Sequence, residues 1–303
     1  MSQKQWLEYV VAEEDAGLTV EQIVREKLSV SGRMLQRLTR SKGIQLNRKQ
    51  PYLKRQVKPG DRVAVRVADP KPQRADVQAA VIPLDILYED DHLVIVNKPA
   101  GMMVHPVGPG QTDTLVDALT AHFQQKGEPA SVHAVHRLDK QTSGAVLLAK
   151  SSYGHQLADR LLREGAIHRE YLAIATGRIE QERETISAPI GRDPRHSTKR
   201  MVTERGDHAV THFEVADRSE RSTLVRIRLE TGRTHQIRVH FQHIGHPLAG
   251  DTLYGGEKMG FSRQALHAGT LSFPHPLNGE QIVAEAPLPE DMRTFMAREY
   301  RAP

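Results

Sequence analysis

Asp139 stands between Arg137 and Lys140 in the stretch His136-Arg137-Leu138-Asp139-Lys140-Gln141-Thr142-Ser143-Gly144. A nearby cation favours the ionised form of an aspartate, and an ionised aspartate can act as a nucleophile or as a base. The same charges also suit an ordinary surface ion pair, so this stretch alone leaves both readings open. Three other segments carry candidate chemistry. In His168-Arg169-Glu170-Tyr171-Leu172-Ala173 a tyrosine opens a strand just after a cation, where it could equally be a core aromatic. In the segment from Glu230 through Gly232, Arg233 and Thr234 to Arg238 and His240, a strand turns into a helix N-terminus. Arg233 at that turn is free to reach a carboxylate or phosphate, and the helix amides can also receive an anion. The third segment, from Gly245-His246-Pro247 to Gly250-Asp251 and Gly255, is a glycine-rich loop.

These residues need a scaffold. The apolar run from Ala145 to Ala149 reads as a core strand immediately after Asp139. Residues 86–101 read as two strands joined by an acidic turn and ended by Pro99-Ala100-Gly101. Thr114 can cap a helix to about residue 125, Ser151 another to about 164, and Thr234 a third to about 244, with strands at 171–175, 212–216 and 223–229. The elements show no regular βαβ alternation. The expected fold is therefore α+β, with a large mixed, mainly antiparallel sheet, flanking helices and a small N-terminal module.

That module carries most of the positive charge. The chain of 303 residues has a net charge of +5, yet residues 25–66 hold 13 Lys or Arg against Glu26 and Asp61 alone. Clustering of this kind is the footprint expected for a polyanion partner. Thr19 and Gln22 stand at capping-box spacing ahead of the apolar face Val20, Ile23, Val24, Leu28. Ser31 can cap a second helix with Met34, Leu35 and Leu38 inward and Arg33, Arg37 and Arg40 on the opposite side, closed by Gly43, with Lys42 adding to the basic stripe. Residues 44–47 and the alternation of Val63, Val65 and Val67 with Arg62, Ala64 and Arg66 read as strands, with Pro59-Gly60-Asp61 as a turn. Residues 1–68 are expected as this module, 69–82 as a Pro-rich linker and 83–303 as the larger domain.

The N-terminal pattern resembles the S4 RNA-binding domain, with Leu18-Thr19-Val20 and Asn47-Arg48 departing from that family's usual residues. The four segments of the larger domain, in their order, resemble the RluA-type RNA pseudouridine synthases. That resemblance implies isomerisation of uridine to pseudouridine without a cofactor. It implies Asp139 as the catalytic aspartate, Arg233 as its partner, and Tyr171 as the residue packing on the target base and able to relay a proton. It implies Arg137 entering the RNA stack where the uridine leaves, with His136 and Arg238 among the RNA contacts. Ribosomal RNA is the first expected substrate and tRNA the second, and a monomer is expected.

Other classes find less support. Hydrophobic content of 38% and charged content of 26% fit a soluble globular chain, and no apolar run or leader suggests a membrane, so a cytoplasmic protein is expected. With no cysteine, disulfides and thiol chemistry are excluded. His235, His240, His243 and His246 lack the acidic partners of a metal motif and are expected at a helix surface or facing RNA. Gly108-Pro109-Gly110 has no following Gly-Lys, and Ser143 sits in no nucleophile elbow. A carboxylate glycosidase would need a second acid beside Asp139, and none stands out. A non-catalytic RNA-binding assembly factor is the remaining rival.

Overall fold

The computed structural model describes residues 5–69, 83–108, 111–128 and 130–300. All of the expected linker except Asp69, and the Pro109-Gly110 pair, lie outside the described residues.

The N-terminal part runs β1 (Trp6–Val10), α1 (Val20–Glu26), α2 (Gly32–Arg40), β2 (Ile44–Leu46) and β3 (Arg62–Arg66). Its sheet has the order β1-β3-β2 and is antiparallel throughout. The caps are those the sequence predicts. Thr19 and Gln22 form a full capping box, and the Ser31 hydroxyl accepts the Met34 N–H. Each such cap contributes about 1 kcal/mol. Met34, Leu35 and Leu38 are buried, while Arg33, Arg37 and Arg40 are exposed. One detail differs from expectation: Lys42, with φ of 53°, and not Gly43, takes the left-handed position after α2. Gly43 lies close against Leu38, where a Cβ would sit 2.7 Å from the end of that side chain and push it aside.

The larger part runs β4 (Ile86–Glu89), β5 (Leu93–Lys98), α3 (Leu115–Gln125), β6 (His133–Ala134), β7 (Ser143–Ala149) and α4 (Ser152–Arg163). It continues with β8 (His168–Thr176), β9 (Arg183–Ser187), β10 (Ile190–Arg192), β11 (Arg200–Val202), β12 (Val210–Arg218), β13 (Ser222–Leu229) and α5 (Gln236–His243). β14 (Leu266–Pro274), β15 (Gln281–Glu285) and α6 (Glu290–Glu299) complete it. A ten-stranded sheet has the order β4-β5-β7-β14-β8-β13-β12-β9, with β15 on β14 and β6 on β7. Its pairs are antiparallel except β7 with β14, which meet in parallel at Ser143 and Gly144. The fold is α+β, as the irregular alternation implies. β7 lies inside the sheet and is buried at every position, which is why residues 145–149 show no polar alternation.

The two parts touch through α4. Tyr153 is fully buried in the N-terminal apolar cluster with Leu157, and its hydroxyl donates to the Leu28 carbonyl at 2.7 Å. Gln156 accepts from the Ser31 N–H and donates to the Ser29 carbonyl. Asp69 accepts from the Ser152 N–H and hydroxyl, so this end of the expected linker is anchored.

Candidate active site

Asp139 sits in the loop between β6 and β7, and the loop is fixed from below. The Leu138 side chain is buried in the core. Lys98, at the end of β5 and fully buried, donates to the carbonyls of Pro99 and Met102 at 2.8 Å and of Lys140 at 3.2 Å. Burial pulls the Lys98 amine down to about 7, opposed by the charge of Asp139. Gly101 N–H also donates to the Lys140 carbonyl. From the other side, Arg263 donates to the Gln141 carbonyl while holding Asp291 bidentately. Two basic side chains and one backbone N–H therefore hold the aspartate's loop, and the side chain itself stays partly open, at 17% exposure.

Above the loop is a cavity of about 820 Å³ lined by Arg137, Asp139, Tyr171, Arg233, His235 and Arg238, among others. Tyr171 is buried, and burial raises its phenol above the ordinary value, so it stays protonated. Arg137 is exposed at the cavity edge. His136 lies behind: it is buried, its Nε2 accepts the Leu147 N–H, and burial followed by the charge of Arg169 holds it down to about 3. The ring, expected as an RNA contact, is a neutral part of the cavity wall.

The expected pairing of Arg233 with Asp139 is not what the structure shows. Arg238 Nη1 donates to Asp139 Oδ2 at 3.2 Å, whereas Arg233 Nε donates to the His208 carbonyl at 2.9 Å. Arg238 is buried and is also held by Asp251, through Nε at 2.6 Å and Nη2 at 2.9 Å. Burial opposes its charge, but the two carboxylates outweigh burial and raise its pKa. Arg238 was expected as an RNA contact; it is the ion-pair partner instead. The reason lies in the turn. His235, not Thr234, precedes α5, in a left-handed conformation with φ of 59°, and no side chain caps the helix. Gln236 holds the turn, its amide oxygen accepting from the Arg233 N–H and the Thr231 hydroxyl. This geometry sends Arg238 inward on the buried face of α5 and leaves Arg233 exposed at the rim.

His235 faces the site and not bulk solvent. Its Nε2 lies 3.9 Å from Asp139, and its Nδ1 lies 2.9 Å from the Tyr254 hydroxyl, which accepts the Arg200 N–H. Burial lowers the His235 pKa and raises that of Tyr254 to about 12. His240, expected at a helix surface or facing RNA, is fully buried between the Thr211 hydroxyl and the Ala188 carbonyl. Asp251, His235 and Tyr254 escaped the sequence reading as site residues. Asp251 and Tyr254 lie in the glycine-rich loop, which was recognised as a motif without any sign of which side chains turn inward.

The family model for RNA pseudouridylate synthase matches residues 92–243, and that for the RluD ribosomal pseudouridine synthase N-terminal domain matches residues 7–63. The Bacillus subtilis (strain 168) "Uncharacterized RNA pseudouridine synthase YhcT" is 42% identical over 97% of this chain and 98% of its own. "Ribosomal large subunit pseudouridine synthase D" of Nitrosomonas europaea is 38% identical over 96% of this chain and 87% of its own. Among solved structures, "Human RNA Pseudouridylate Synthase Domain Containing 4" matches with a TM-score of 0.58 and 26% identity, over 71% of this chain and 92% of that one. The fold and site are those of an enzyme that rearranges a nucleoside in RNA. The chain belongs to the RNA pseudouridine synthases of the RluA type, and carries at its N-terminus the domain found in RluD.

Proposed function

We propose that this enzyme converts uridines of large-subunit ribosomal RNA to pseudouridine, in the cytoplasm, with Asp139 as the reacting carboxylate. The observation that carries this reading is the asymmetric hold on Asp139. Arg238 is anchored bidentately by Asp251 and spares one contact for Asp139, which lines the cavity with Tyr171 and stays partly open. The relatives named "Ribosomal large subunit pseudouridine synthase D", in Nitrosomonas europaea and in Vibrio cholerae, support the choice of RNA.

Isomerisation breaks the N1–C1′ bond and joins C5 to the same sugar carbon, with no redox step. Asp139 attacks C1′ or takes the proton from C2′. The base first leaves its stack, a cost of a few kcal/mol, offset by Arg137 filling the gap and by Tyr171 stacking on the uracil. Residues 1–68 serve as an RNA-binding module, with Arg33, Arg37, Arg40 and Lys42 on phosphates. Support comes from a groove lined by Arg25, Arg33 and Arg37 on that module and by Arg160 and Arg163 of α4, which shares His155 and Arg163 with the lining of the Asp139 cavity.

RNA carrying 5-tritiated uridine tests the reading. Wild type should release tritium from large-subunit ribosomal RNA, and Asp139→Asn should bind that RNA and release none. Release from tRNA alone would move the substrate, and accumulation of free uracil would make the enzyme a hydrolase.

A further inference from the structure

Arg169 carries a charge that the steps above do not use. It lies two residues before Tyr171 on the same face of β8, where burial alternates between exposed His168, buried Arg169, exposed Glu170 and buried Tyr171. It is 9% exposed and lines the Asp139 cavity. Its Nε is buried without a hydrogen-bond partner, and among the described residues no carboxylate pairs with its guanidinium. The other buried arginines of this region differ: Arg238 and Arg263 are each bidentate to an aspartate. Room for the unpaired group is made by Gly232, where a Cβ would lie 3.1 Å from Arg169 Nη1. Only the Nε atom is buried without a partner, so the charge rests against the cavity with no anion of the protein beside it. A cation kept that way in an active-site wall is compensated when the substrate brings negative charge to it.

The position selects which part of the substrate that is. Same-face neighbours on a strand are about 7 Å apart, so the Arg169 guanidinium is within reach of the edge of a base stacked on the Tyr171 ring. Phosphodiester oxygens stay at the rim, near exposed Arg137 and Arg233. Resting on the uridine-isomerase reading above, we propose that Arg169 is a further catalytic residue, donating to a carbonyl oxygen of the flipped uracil and stabilising the anion that forms as the base departs. When N1–C1′ breaks, its electron pair stays with the base and spreads over N1 and the carbonyl oxygens. The base then turns, C5 bonds to C1′, C5 gives up its proton and N1 gains one, so the product is an isomer of the substrate. Arg169 holds the charge between the two bond changes.

The test uses the full-length enzyme and large-subunit ribosomal RNA transcribed with uridine or with 5-fluorouridine, whose base is more acidic and leaves more readily. Single-turnover conversion of the N-linked nucleoside at saturating RNA is followed by digestion and mass spectrometry, with RNA affinity measured in parallel. Arg169→Met should slow uridine conversion by about 100-fold, the loss typical of one missing oxyanion donor, with affinity within a few-fold of wild type. The loss on 5-fluorouridine should be at least 10-fold smaller, and Arg169→Lys should fall between. Weaker RNA binding with an intact saturated rate would make Arg169 a phosphate contact and overturn the proposal. An equal loss on both substrates would make it a structural residue. Should the Met variant fail to fold, Arg169→Lys and Arg169→Gln give the same comparison. Wild type inactive on every RNA would sink the isomerase reading itself, whereas active wild type with equally active variants would sink the role of Arg169 alone.

Discussion

Arg238 serves two carboxylates unequally, and that inequality is what a reactive aspartate requires. Asp251, 2% exposed, takes two short hydrogen bonds and fixes the guanidinium, so Asp139 is held by one longer contact, which in the proposed mechanism it leaves for the sugar. Arg238→Met should therefore lose activity through misaimed Asp139, by about 100-fold or more in saturated rate, and should lose about 3–5 kcal/mol of stability through the unpaired Asp251. Arg233→Met should keep the stability and most of the saturated rate while weakening RNA binding. Saturation kinetics and denaturant unfolding of the two variants separate these roles; an Arg233 variant as slow as the Arg238 variant would contradict them. Either arginine could have served Asp139 on residue type alone, since they are five positions apart and both follow a glycine turn.

At the level of elements, the signals that proved legible are local ones. Thr114 caps α3 in a capping box and Ser151 caps α4, as their positions ahead of apolar periodicity predict. The strand after Asp139 is where its apolar run places it. What stayed hidden depends on partners distant in sequence. Thr234 has a capping residue type, but His235 adopts the cap position because Gln236 ties the turn to Thr231 and, through its amide nitrogen, to the Val210 carbonyl. Gly144 of the Thr142-Ser143-Gly144 motif shows the same dependence. It has φ of 116°, and a Cβ there would lie 2.2 Å from the Ala268 carbonyl oxygen, where β7 and β14 meet in parallel. Gly144→Ala should cost about 3 kcal/mol or more, from backbone strain and the clash together. Because the aspartate loop ends at that crossing, activity should fall with it. A denaturant midpoint equal to wild type would show that the strands can part without cost.

For the whole molecule, the docking of the N-terminal part on α4 decides how far the basic surface extends. Tyr153 and Leu157 are buried against it, and Arg33 and Arg37 of α2 line one groove with Arg160 and Arg163 of α4. If this groove follows an RNA backbone, replacing Arg25, Arg33 and Arg37 together by Gln should remove about three phosphate contacts. The slope of log affinity against log salt should become shallower by about 2, at roughly 0.7–0.9 per contact, with the saturated rate preserved. An unchanged slope would exclude this face as the RNA track. The amino-acid sequence by itself determined the α+β class, the basic N-terminal module, the caps at Thr19, Ser31, Thr114 and Ser151, and Asp139 and Tyr171 as candidates, because each is written in residues close together along the chain. Only the tertiary structure decided that Arg238 holds Asp139 from 99 positions away, that Asp251 and His235 join them, and that Arg169 lies buried and unpaired beneath Gly232. Those relations follow from the order and register of the large sheet and from a left-handed residue at the start of α5, which set side-chain directions that spacing along the chain does not encode.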